Sequence, residues 1–250
     1  MNLTIDHGNS RTKLALWREG ETRPFAQSAL KAVDAASLDD FLAPAYEAAP
    51  AAGKPINGCC LCSVAGTGDE ELRRLLAGRC GRLVVLDPAT TPTPLRVDYR
   101  TPSTLGADRL AAAVGAWSLA PDAPQVLVVD VGTAVTYDLV SDGTFAGGNI
   151  APGINMRLRA LNRYTARLPL VDSVGDVETW GRDTAMALRA GAVDGVVAEI
   201  EFYRRRLLPS AKVILTGGAA NLVAPRLSFE AAIVPDLVCL GLNIIMQTNH

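Results

Sequence analysis

One segment of this chain occurs twice, and that repeat limits the fold more than any other feature. Leu3-Thr-Ile-Asp6-His-Gly8-Asn-Ser-Arg-Thr12 can be laid without gaps over Leu127-Val-Val-Asp130-Val-Gly132-Thr-Ala-Val-Thr136. Asp6 then meets Asp130, Gly8 meets Gly132 and Thr12 meets Thr136. Each copy reads as an apolar strand, a tight glycine turn and a second strand. The copies stand half a chain length apart, so two domains of related fold are expected, at 1–118 and 119–250. One Asp-x-Gly turn alone is most simply a hairpin bend. Two matching copies favour a nucleotide clamp. Glycine lets backbone N–H groups approach phosphate, Ser10, Thr12, Thr133 and Thr136 offer hydroxyls, and Asp6 or Asp130 offers a carboxylate for a cation.

The rest of the chain alternates strand and helix signals. Ile56 to Val64 and Leu83 to Asp87 read as short buried strands with a helix, Glu70 to Ala77, between them. Pro88 to Pro102 is proline-rich and expected to be irregular. A helix is expected from Ala107, with Leu110, Val114 and Trp117 on one face. Gly147-Gly148-Asn-Ile-Ala-Pro152-Gly153 reads as a loop, followed by a helix through Met156, Arg159 and Leu161. A longer helix runs from Thr184 to Leu207, where Gly191 and Gly195 are expected to allow close packing. Lys212 to Leu215 reads as a strand that turns through Thr216-Gly217-Gly218 into a helix.

Composition removes several functions. Hydrophobic residues make up 49% of the chain, charged residues 20%, and the net charge is −2, with no basic face for nucleic acid. The start of the chain lacks a basic, apolar leader pattern, and the apolar stretch Gln125 to Val140 is broken by Asp130 and Asp138, so no membrane span is expected. Cys59, Cys60 and Cys62 share one apolar run; strand alternation separates Cys59 from the other two, which favours buried thiols in a reducing cytoplasm over zinc or disulfides. His7 and His250 are the only histidines, which leaves little for a Ser-His-Asp triad. Neither the Walker phosphate loop nor the Gly-x-Gly-x-x-Gly fingerprint occurs.

A third element is Gly106-Ala107-Asp108-Arg109 at the start of a helix, downstream of Tyr99. Free N–H groups and the helix dipole there favour an anion. Asp108 could take a proton from a hydroxyl and Arg109 could grip a carboxylate through paired hydrogen bonds, although a helix-start salt bridge explains the pair equally well.

Taken in order, these segments closely resemble the type III pantothenate kinases of the acetate and sugar kinase, actin and chaperone-ATPase superfamily. The resemblance rests on Asp6-His-Gly8-Asn9-Ser10 through Lys13, Gly106 to Arg109, Asp130 to Thr136, Gly147 to Gly153, Thr165-Ala-Arg-Leu168-Pro169, Gly181-Arg-Asp-Thr184 and Thr216-Gly217-Gly218. It implies an α/β fold of two similar actin-like (ribonuclease H-like) ATPase domains, mixed sheets flanked by helices, with a nucleotide cleft between them. It implies transfer of the ATP γ-phosphoryl group to the hydroxyl of pantothenate, the first step of coenzyme A synthesis. Asp6, His7, Gly8, Asn9, Ser10, Arg11, Thr12, Lys13 and Thr133 would bind ATP with its Mg²⁺. Asp108 would be the general base, and Tyr99, Gly106, Ala107, Asp108, Arg109 and Thr184 would form the pantothenate pocket. Asp130 would hold K⁺ or NH₄⁺, and a homodimer would be the working form. The alternative is an accessory nucleotide-binding protein of the same fold without turnover. Ser10 replaces the family's usual threonine, and His7 replaces an aliphatic residue in the first turn.

Overall fold

The computed structural model describes residues 1–47, 56–65, 68–173, 175 and 177–249; His250 lies outside them. The chain forms two compact units: Met1–Leu119 with Gly143–Phe145 and Asp236–His250, and Ala120–Asp142 with Ala146–Pro235. A single cut at 118/119 does not reproduce this partition, because the C-terminal segment returns to the first unit.

In the first unit, β1 (Asn2–His7), β2 (Thr12–Trp17) and β3 (Ala26–Leu30) form an antiparallel meander. Helix α1 (Ala35–Glu47) leads to β4 (Gly58–Ser63), which lies parallel to β1, and α2 (Asp69–Leu76) leads to β5 (Arg82–Val85), parallel to β4. The sheet order is β3-β2-β1-β4-β5. Pro88 to Pro102 is largely irregular, holding only β6 (Arg96–Val97) and the start of a single 3₁₀ turn. Then comes α3 (Ala107–Leu119).

The second unit repeats the plan. β7 (Gln125–Val131) and β8 (Ala134–Ser141) form the second hairpin, and β9 (Thr144–Pro152) follows. After α4 (Ile154–Tyr164) and α5 (Thr184–Arg204), β10 (Lys212–Thr216) lies parallel to β7. The short α6 (Ala220–Val223) precedes β11 (Ala232–Ile233), parallel to β10. Reading from β9, the order is β9-β8-β7-β10-β11, strand for strand the order of the first sheet. The sequence repeat is thus a repeat of topology. β6 pairs with Thr144 and Phe145, which belong to the first unit like itself.

The last helix, α7 (Leu237–Thr248), is apolar around most of its circumference and buried from Leu237 to Asn243. A helix hydrophobic on all sides must be covered on all sides. Here it packs within the first unit against α3 and the sheet. Leu14 and Leu16 of β2 point into a core with Leu38, Leu42, Leu61 and Leu76, while Ala15 and Trp17 face Cys239 and Leu240 of α7. Period-2 alternation explains why both sets are buried: the sheet is covered on both faces. The second core gathers Leu127, Val129, Val131, Val193, Val196 and Leu215.

Three expectations change. Residues 147 to 152 are the second half of strand β9 rather than a loop, since Gly147 at φ +110° supplies a backbone bend within a paired strand. Gly191 faces open space, so it does not mediate close packing; Gly195 does, against Arg157. Finally, the two hairpins are not in gapless correspondence. Asp6 pairs with Lys13 but Asp130 pairs with Thr136, so the second turn is one residue shorter and Thr136 stands where Lys13 does.

Candidate active site

In the first unit, Asp6 lies near the C-terminal end of the central strand β1, after which the chain bends at Gly8, whose N–H donates to Arg11 O at 3.1 Å. A Cβ on Gly8 would sit 3.2 Å from that same carbonyl, which explains glycine in so tight a turn. Asn9, Ser10 and Arg11 form the exposed tip. Thr12 is buried, with its hydroxyl 2.8 Å from His7 Nδ1, and His7 Nε2 lies 3.9 Å from Asp69 Oδ1. His7 is therefore packed inside the turn's base, while the tip residues are exposed.

Behind the turn, Cys62 of β4 donates its thiol to Asp6 Oδ1 at 3.5 Å. Burial raises the pKa of Asp6; the charge of Lys13 opposes this and the charge of Asp108 adds to it. Asp108 is thus brought within electrostatic reach of the first turn. Its own pKa is raised by burial, offset by the Arg109 N–H that donates to its Oδ1 at 2.8 Å and by the Arg109 charge. Gly106 makes this placement possible, since a Cβ there would lie 2.6 Å from Asp108 Oδ1.

Arg109 is only 5% exposed. Its guanidinium carbon lies 6.0 Å from the Tyr99 ring centre and 5.9 Å from that of Phe145, and the two rings meet edge-on. The aromatic walls fix the direction of the cation. Phe145 went unnoticed in the sequence because it reaches Arg109 from a distant strand; only its place just ahead of Gly147-Gly148 hinted at it. Asp236, just before α7, was also missed. Burial raises its pKa, and the positive charge of Lys13 opposes that rise.

The second unit holds its own constellation. Gly132 N–H donates to Ala134 O at 3.0 Å to close the turn, and Thr133 is exposed at its tip. Asp130 is hemmed by glycines: a Cβ on Gly217 (φ +89°) would stand 2.3 Å from Asp130 Oδ1, and one on Gly132 3.2 Å from it. Ala219 N–H donates to Val131 O at 3.1 Å, tying the Thr216-Gly217-Gly218 turn to β7. Thr184 sits exposed at the head of α5, where Asp183 Oδ1 caps the helix by accepting from Met186 N–H at 2.8 Å.

The five cysteines are buried and none is in a disulfide, and no cluster of three or more metal-ligating side chains occurs among the described residues. No helix among them is long and apolar enough to cross a membrane.

A profile of the type III pantothenate kinases matches residues 2–206. The chain belongs to that family. A type III pantothenate kinase from Porphyromonas gingivalis (strain W83) is 39% identical over 256 residues, covering 99% of this chain and 98% of the relative. Among solved structures, a conserved Campylobacter jejuni protein provisionally described as a Baf family transcriptional activator superposes with a TM-score of 0.63 at 22% identity, covering 99% of this chain and 98% of the other. Component A of (R)-2-hydroxyglutaryl-CoA dehydratase from Acidaminococcus fermentans gives 0.56 at 16% identity, with 99% and 98% covered. At such identities the two structures speak to the fold alone, the mixed α/β architecture of the actin-like ATPases. In this member of the type III pantothenate kinase family, both Asp-x-Gly turns and the Gly106–Arg109 helix start lie at the ends of regular elements.

Proposed function

We infer that this chain transfers the γ-phosphoryl group of ATP to the primary hydroxyl of pantothenate, giving 4'-phosphopantothenate. Family membership carries the reaction. The observation that supports a working enzyme rather than a silent binder is the helix start of α3, where Asp108 and the buried Arg109 are built beside the first turn. An accessory protein would have no chemical use for either.

The roles proposed for individual residues are supported by their chemistry. Backbone N–H groups and exposed side chains of the first turn, Asp6 to Lys13, are assigned to the ATP phosphates, and Thr133 is the phosphate-binding candidate of the second unit's own turn. Asp108 accepts the proton of the attacking hydroxyl. Arg109, aimed by Tyr99 and Phe145, grips the substrate carboxylate, and Thr184, exposed at the head of α5, is the substrate-binding candidate of the second unit. Mg²⁺ fits a site of this kind, because it needs only one or two carboxylates and takes its other ligands from phosphate and water. Asp6 is the buried carboxylate that would hold it, and the ion would supply neutralisation of the charge on the transferring group. Asp130, a carboxylate near the C-terminal end of β7, suits a monovalent cation such as K⁺ or NH₄⁺. We further propose a cytoplasmic homodimer, consistent with thiols kept reduced.

The experiment is a coupled ADP-release assay with ATP and Mg²⁺, with and without pantothenate, in potassium and in sodium buffer. ADP release that requires pantothenate and is stronger in potassium supports the assignment; release indifferent to pantothenate contradicts it.

Two expectations arise here. Arg109→Ala should raise KM for pantothenate about ten- to a hundredfold, as loss of a charge-assisted hydrogen bond of ~1.5–3 kcal/mol implies, with a smaller change in kcat. Unchanged KM would remove Arg109 from carboxylate binding. The second concerns pH. Burial lifts the Asp108 pKa, so its basic form is lost at a higher pH than for an exposed aspartate. The acid limb of kcat/KM should therefore lie at a higher pH than an exposed aspartate would give. The same shift makes the folded state bind protons more readily than the unfolded one. That contribution to stability is present at low pH and is lost as pH rises through the folded pKa. An acid limb at the value of a free carboxylate would count against Asp108 as the base.

A further inference from the structure

We propose that Arg157 is a positioning residue for the Asp130–Thr133 turn, acting through the Pro152 carbonyl and Gly153. The proposal rests on the reading of that turn as a phosphate-facing element.

Gly153 presses directly on the turn. Its N–H donates to Thr133 O at 3.1 Å, and a Cβ on it would lie 2.4 Å from both Gly132 O and Thr133 O, so no larger residue fits. What holds Gly153 there is its neighbour. Pro152 O accepts from Arg157 Nε at 2.8 Å, one turn into α4. The far nitrogen of the same guanidinium donates to Glu199 Oε1 at 2.7 Å and Oε2 at 2.6 Å, on α5. Glu199 Oε2 also accepts from the Tyr137 hydroxyl at 2.5 Å, and Tyr137 lies on β8, the strand that leaves the turn.

The contacts therefore form a closed ring: turn, Gly153, Pro152, Arg157, Glu199, Tyr137, and back along β8 to the turn. The second unit also leaves space for it. A Cβ on Gly195 of α5 would stand 2.8 Å from Arg157 Nη1. Burial and the Glu199 carboxylate both push the Tyr137 pKa up, which keeps the phenol protonated as a donor. The fork of arginine is needed because two nitrogens on one rigid plane serve two acceptors at once; a lysine ammonium is a point charge on a flexible stem. The ion pair is part-exposed, with side chains 19% and 36% accessible, so its plain contribution to stability is expected to be small. Its geometric role is the larger one.

The test compares wild type with Arg157→Ala, Arg157→Lys and Glu199→Gln. ATP affinity is read by displacement of a fluorescent nucleotide, KM for both substrates by ADP release, and folding by Tm. Because Arg157 positions the turn without touching the nucleotide, the net value of an ordinary hydrogen bond applies, and ATP Kd and KM are expected to rise about five- to tenfold in both Arg157 variants. Pantothenate KM should stay within about twofold and Tm within a few degrees. Lysine should restore Tm without restoring ATP affinity. Unchanged ATP affinity in a folded variant, or equal rises for both substrates, overturns the proposal. Should Arg157→Ala fail to fold, the lysine and Glu199 variants decide on the same readouts. A wild type that binds ATP without phosphorylating pantothenate would sink the proposed reaction, while the Kd comparison would still decide on Arg157. A wild type that binds no nucleotide overturns both.

Discussion

Asp108→Asn is expected to bind ATP about as well as the wild type and to lose most of its turnover. A general base contributes about 10²–10⁴-fold, or roughly 3–5 kcal/mol of barrier at ~1.36 kcal/mol per decade. The amide is isosteric and can still accept the Arg109 N–H that now reaches Asp108 Oδ1 at 2.8 Å, so the helix start should survive. What it cannot do is take a proton. Because the charge of Asp108 also helps raise the pKa of Asp6, the amide should leave Asp6 easier to ionise and nucleotide binding unharmed. Single-turnover kinetics beside an ATP titration separate the two effects. Turnover near that of the wild type would take Asp108 out of the chemistry.

The largest effect on stability is expected at Gly241. Helices α3 and α7 approach through facing glycines: a Cβ on Gly241 would lie 1.8 Å from Ala111 O, and one on Gly115 2.5 Å from Leu237 O. Both obstacles are backbone, which cannot rotate aside. Gly241→Ala must push the helices apart or distort one, at a cost of about 3 kcal/mol, the upper end for overpacking. At roughly 2–4 °C per kcal/mol for a chain of this size, Tm should fall by about 6–12 °C. Gly191→Ala is the control. That position on α5 has nothing within 4 Å of an added Cβ, so alanine there should stabilise by about 1 kcal/mol through helix propensity alone. Equal melting temperatures for the two variants would contradict the close crossing.

Much of the fold was legible because its signals are local. The Asp-x-Gly bends, the apolar strands beside them and the helix from Ala107 each declare themselves within a dozen residues. Helix α1 did not, since Pro44 lies inside it, although Asp34 and Ser37 cap it reciprocally, Ser37 N–H donating to Asp34 Oδ1 at 2.8 Å. β9 was hidden by Gly147 and Gly148, which imitate a loop. The one-residue difference between the hairpins was invisible because a gapless overlay matches residue types, whereas register is set by the turn.

The candidate site divides in the same way. Gly106 to Arg109 could be read as a helix start bearing a base and a cation, and the structure supplies the reason for Gly106. Phe145 beside Arg109 and Asp236 in the field of Lys13 could not be read. Each meets its partner through long-range packing, which leaves no spacing signature. The return of α7 to the first unit belongs to the same class: an apolar helix advertises burial without saying where.

Mass analysis of the product made from ATP, Mg²⁺ and pantothenate tests the central claim most directly. The account predicts 4'-phosphopantothenate formed in step with ADP, and formed far more slowly by Asp108→Asn. ADP without phosphopantothenate, or pantothenate recovered unchanged beside intact ATP, would contradict it.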